Sequence, residues 1–112
     1  MPPALVTLLP DLPVKIQVDF QSVHHSAFQL FVTTSAGGTP ALLKQGAADV
    51  SFVVARQQLA YRVEYEFIWF ANPQGDDFRA ALIFTQQGTV QGSVPVSGKN
   101  AGASVDGEVA FQ

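Results

Sequence analysis

From position 59 to 71 every second residue is apolar: Leu59, Tyr61, Val63, Tyr65, Phe67, Trp69 and Ala71. Between them the chain places Arg62, Glu64 and Glu66, and then turns apolar at Ile68 and Phe70. A period of two describes a β-strand with one buried face. The change at Ile68 predicts that the far end of this strand is covered on its second face by a loop, another subunit or a ligand.

The same alternation predicts strands over 14–23, 26–34, 50–55, 78–85, 89–96 and 105–111. Their inward residues include Val14, Ile16, Val18 and Phe20 in the first of these, and Phe78, Ala80, Leu82 and Phe84 in the fourth. Turn-forming residues separate them at 35–40, 72–76, 86–88 and 97–102. Segment 41–46 reads either as one helical turn stopped by Gly46 or as an irregular edge piece. Pro95 inside a strand pattern indicates an edge position, where a missing N–H costs nothing. Gly92 and Gly107 indicate bulges or close backbone approach.

No stretch of ten residues carries a helical period. The expected fold is therefore all-β: a single-domain antiparallel β-sandwich, Ig-like or jelly-roll-like, with seven to eight strands over 13–112. Strand order is not readable from the pattern, so a small barrel is the alternative. Residues 1–12 read as an extended N-terminal arm. Its Leu5, Val6, Leu8 and Leu9 are too apolar to float, and are expected to pack on the body or on a neighbour.

Composition narrows the function. Of the 112 residues 47% are apolar, with nine Phe, so a packed core is easily supplied. Only 13% are charged, against a usual quarter. The surface must then be built from Gln, Ser, Thr, Gly and Asn, which suits sugars and protein partners. Six Lys and Arg and a net charge of -3 argue against nucleic acid and anionic membranes. No apolar run approaches membrane-spanning length. The start has no positive region and its apolar stretch is broken by Pro10, so it does not read as a secretion signal. There is no cysteine, which removes disulfides, thiolate metal sites and Cys nucleophiles, and leaves the compartment undetermined.

Candidate chemistry is sparse. Glu64 and Glu66 share a strand face, as do Asp106 and Glu108. Such pairs serve as acid and base in glycosidases, but residues two apart on a strand also face solvent together as a matter of course. Asn72, Asp76 and Asp77 lie in a turn that could offer oxygen ligands to calcium, without EF-hand spacing. His24 and His25 are adjacent, so in a strand they point to opposite faces and cannot share one metal. No nucleophile elbow and no phosphate-cradling loop is present. Tyr61, Tyr65, Phe67 and Trp69 line one face, either as a platform for sugar rings or, more simply, as the sandwich core. Phe31 and Val53 are apolar where their strand neighbours are polar.

These features point to a non-enzymatic binding module, most concretely a lectin-like carbohydrate-binding protein acting as a homo-oligomer. The expected ligand contacts are Asn72, Gln74, Asp76, Asp77, Lys99 and Asn100. The expected interface residues are Leu5, Leu8, Leu9, Ile68 and Phe70. No catalytic residue, resident metal or cofactor is expected, calcium being the one cation the Asp76 turn would favour. The partner is a carbohydrate or a protein, with no nucleic acid and no membrane span. A structural or assembly subunit, using the arm and the apolar patch, is the alternative. A small hydrolase using the paired carboxylates is a third reading.

Overall fold

The computed structural model describes residues 4–21, 26–69, 77–98 and 104–112. Nine strands lie among them: β1 Ala4–Val6, β2 Val14–Phe20, β3 Ser26–Thr33, β4 Ala41–Gly46, β5 Val50–Val54, β6 Arg62–Trp69, β7 Phe78–Gln86, β8 Thr89–Gly98 and β9 Ser104–Phe111. They form an all-β sandwich of two sheets, with orders β1-β9-β6-β3-β4 and β5-β2-β7-β8. Every pairing is antiparallel except β1 on β9, which is parallel.

The count exceeds the expected seven to eight because the alternation misses two edge pieces. Segment 41–46 is not a helical turn; it is the edge strand β4, whose register with β3 shifts between Leu30 and Phe31. None of its residues is buried, so it carries no buried face to read. The arm packs on the body and adds a short edge strand, β1, at Ala4–Val6. The run from Leu59 also starts later than its pattern. A 3-10 turn covers Arg56–Leu59, and β6 begins at Arg62. Leu59 is nevertheless fully buried, so apolar spacing marked its burial and not its backbone. In that turn the Arg56 Nη1 donates to the Leu59 carbonyl at 2.8 Å.

Large aromatics join the two sheets. Trp69 of β6 stacks on Phe78 of β7 with ring centroids 4.8 Å apart and planes 6° from parallel. Phe67 meets Phe20 and Phe78 at 5.8 Å each. Offset and edge contacts of this kind add about 0.5–1.5 kcal/mol beyond area burial. Gly98 sits opposite Phe78 in the β7–β8 register, and a Cβ there would collide with the Trp69 indole. Glycine is thus what admits the tryptophan. Gly107 plays the same part for Tyr65, whose hydroxyl would strike a Cβ at that position.

Local signals place the ends. Gln87 and Gly88, with φ of 50° and 79°, close β7 onto β8 as a two-residue hairpin. Paired positive φ values match the right-handed twist of the flanking strands. Pro95 lies on β8, an outer strand of its sheet, as expected of a residue with no N–H. No helix of the described residues is long and apolar enough to cross a membrane.

Candidate functional site: the outer face of the five-stranded sheet

Alternation along β6 sends Val63, Phe67 and Trp69 inward, so Glu64, Glu66 and Ile68 point out. Along β9, Val109 and Phe111 are inward, and Asp106 and Glu108 point out. The antiparallel register sets Glu64 opposite Glu108 and Glu66 opposite Asp106. The four carboxylates therefore stand as two cross-strand pairs on one face. On the other side of β6, the register sets Phe31 beside Glu64 and Gln29 beside Glu66. Gln45 of β4 stands beside Gln29, whose amide donates to the Gln45 Oε1 at 3.3 Å.

Like charges directly opposite on a sheet repel, and one cation relieves part of this. Arg62 Nη1 lies 2.7 Å from Glu108 Oε2, and its Nε lies 3.7 Å from Glu64 Oε1. All three side chains are about one-third exposed, so the pair contributes about 0–1 kcal/mol. The guanidinium also rests 4.9 Å from the Tyr61 ring centre.

Two shallow depressions occupy this region. One, of about 680 Å³, is lined by Phe31, Glu64, Glu66, Asp106 and Glu108 and reaches Pro95. The other, of about 470 Å³, is lined by Ala27, Gln29, Gln45, Glu66 and Ile68. Glu66 belongs to both, so the depressions meet. Tyr65 borders the first from beneath. Burial raises its pKa above the ordinary 10.0, and the negative charge of Asp106 adds to the rise. Among the described residues no group of three His, Cys, Asp or Glu is arranged to hold a metal ion.

The residues expected to bind ligand are placed as follows. Asp77 is exposed, one residue ahead of β7. Asn72, Gln74, Asp76, Lys99 and Asn100 lie outside the described residues, as do Phe70, His24 and His25. Of the expected interface residues, Leu5 is 65% and Ile68 41% exposed, and Leu9 is exposed too. Among the described residues nothing covers Ile68 fully. Leu8 is 5% exposed, covered within this chain.

Sequence reasoning recognised each carboxylate pair but not their meeting, because the β6–β9 register joins them from positions 40 and 44 apart. It gave Gln29, Gln45 and Arg62 no role, although alternation places Gln29 and Arg62 outward; Gln45 joins them only through the β3–β4 register. It also took Gln86 for a turn residue. Gln86 is instead buried, with its side-chain amide fully engaged: Oε1 accepts from Leu9 N–H at 2.7 Å, and Nε2 donates to the carbonyls of Leu9 and Leu12 at 2.9 and 3.1 Å.

Compared with known proteins, the chain matches no family model, no curated protein and no solved structure.

Proposed function

We infer that this chain is a non-enzymatic binding module that holds a neutral carbohydrate on the outer face of its five-stranded sheet and acts as an oligomer. The observation that carries this reading is the grouping of Gln29, Gln45, Glu64, Glu66, Asp106 and Glu108 around Phe31 on one rigid sheet face. Planar amides and carboxylates accept and donate in the paired geometry that vicinal sugar hydroxyls offer. An aromatic ring beside them packs against the apolar C–H face of a sugar. Neutral glycans fit better than acidic ones, since one arginine stands among four carboxylates. The loop residues Asn72, Gln74, Asp76, Asp77, Lys99 and Asn100 are a second proposed contributor.

Hydrolysis is the weaker reading. A general acid needs an enclosing, water-poor setting to hold its proton near neutral pH. Glu64 and Glu108 are instead partly exposed and shared by Arg62.

Glycan-array binding of the purified protein, run with calcium and again with chelator, tests the reading. Selective binding that Phe31→Ala and Gln29→Ala abolish supports the sheet face. Binding lost only in Asp76→Ala, or only with chelator, moves the site to the loop. A blank array defeats the carbohydrate reading and favours an assembly subunit, for which the exposed Leu5 and Leu9 on the docked arm are the supporting observation.

A further inference from the structure

The arm is held by a socket made almost entirely of residues far along the chain. β1 pairs with β9 through Ala4–Val109, Leu5–Ala110 and Val6–Phe111. Val6 and Leu8 point into the core, while Leu5 and Leu9 face solvent. Gly92 on β8 leaves the notch that Val6 fills, for a Cβ there would stand 2.8 Å from Val6 Cγ2. Leu8 N–H donates to the Gln112 carbonyl at 3.0 Å, and Gln112 N–H donates to the Val6 carbonyl at 3.2 Å. Gln86 then binds Leu9 on the arm side and Leu12 on the body side.

Between arm and body lies a hinge, residues 9–13, where the chain reverses through one residue in a disfavoured conformation. Pro10 and Pro13 favour extended backbone at the residues preceding them, Leu9 and Leu12. The reversal passes through Asp11, with φ of 62° in the left-handed region that L-residues enter at a cost. Extending the hinge at Asp11 relieves that cost and carries the arm away from its own body. Any second copy offers the same socket, so every arm contact is recovered and only the hinge differs.

We propose that the arm, residues 4–9, exchanges between two copies of this chain, each body's socket being filled by the other copy's Val6 and Leu8. This deepens the oligomeric part of the function inferred above and does not depend on what the sheet face binds. Gln86 then becomes the joint between copies, bonded to the partner's Leu9 and to Leu12 of its own chain.

The chain has no native cysteine, so introduced thiols are unique. A full-length chain carrying Leu5→Cys is mixed with one carrying Ala110→Cys, equilibrated at high concentration, and treated with a short bis-maleimide. Exchange yields a covalent product joining the two different chains on a denaturing gel. Its absence, when the double variant cross-links readily within itself, overturns the proposal. Asp11→Gly accepts the reversal without cost and should shift the equilibrium toward monomer by roughly fivefold per hinge. Asp11→Pro forbids a positive φ and should shift it toward dimer. If Asp11→Pro fails to fold, the mixed cross-link still decides on the native hinge. A dimer that cross-links only within each chain overturns exchange but leaves the oligomer reading standing. A monomer at every concentration overturns both.

Discussion

The two sheets share one core and present opposite kinds of surface. Outward on the four-stranded sheet stand Lys15, Gln17, Ser51, Val53, Ile83 and Ser93, a mixture with no grouping of one chemistry. Outward on the five-stranded sheet stand Glu64, Glu66, Asp106 and Glu108, with Gln29 and Phe31 alongside. The chain has only three glutamates, and all lie on this second face. Core packing cannot explain that bias, because outward residues of both sheets are equally free of the core. The contrast is what singles out the five-stranded sheet as the face proposed to bind ligand.

Several experiments test this contrast. The largest effect should come from the shared core, which ought to take both faces down together. Trp69→Ala removes the ring stacked on Phe78 and should cost about 3–5 kcal/mol in urea or guanidinium unfolding. Next, Gln86→Ala leaves the Leu9 N–H and the Leu9 and Leu12 carbonyls without their partner. It should cost about 1–3 kcal/mol, with hydrogen exchange rising first in the arm and not in either sheet face. On the faces themselves, Gln29→Ala with Phe31→Ala should weaken glycan binding by at least about tenfold with stability within about 1 kcal/mol. The matched substitution Gln17→Ala on the opposite sheet should leave binding unchanged, and equal losses would erase the contrast. Arg62→Met should cost about 0.5 kcal/mol, with a difference that shrinks in high salt.

The smallest effect is a pH dependence. Folding raises the Tyr65 pKa above 10.0, chiefly by burial. Below pH 10 the phenol is neutral in both states and nothing changes. As pH rises past 10 the unfolded chain ionises first, so it binds fewer protons than the folded one and stability falls. The decline ends once the folded-state pKa is passed. Tyr65→Phe should flatten part of this alkaline loss in unfolding curves collected from pH 8 to 11.

Much of the sandwich was legible because a strand with one buried face writes its period into the sequence, as β2 and β7 do. What escaped was set by contacts distant along the chain. β4 has no buried face, and the three residues of β1 are too few to show a period. Glu64 meets Glu108, and Leu9 meets Gln86, only through strand order, which alternation does not encode. Apolar spacing also overran the start of β6, since Leu59 reaches the core from a 3-10 turn and mimics a strand residue. Gly92 and Gly107 showed the reverse: their interruption of strand patterns signalled close approach, and each faces a large or branched side chain, whereas Gly98, read as part of a turn, gave no such signal although it faces Trp69.

The parallel pairing of β1 with β9 also has a meaning in time. A ribosome makes Ala4 roughly a hundred residues before its partner Val109, on the order of ten seconds earlier at usual elongation rates. Throughout that interval the arm has no β9 to pair with, and Val6 and Leu8 remain without their socket. Chains emerging side by side from one messenger are then at high local concentration while their arms are unclaimed. Under the proposed exchange, the first partner an arm meets is whichever β9 is completed first within its reach.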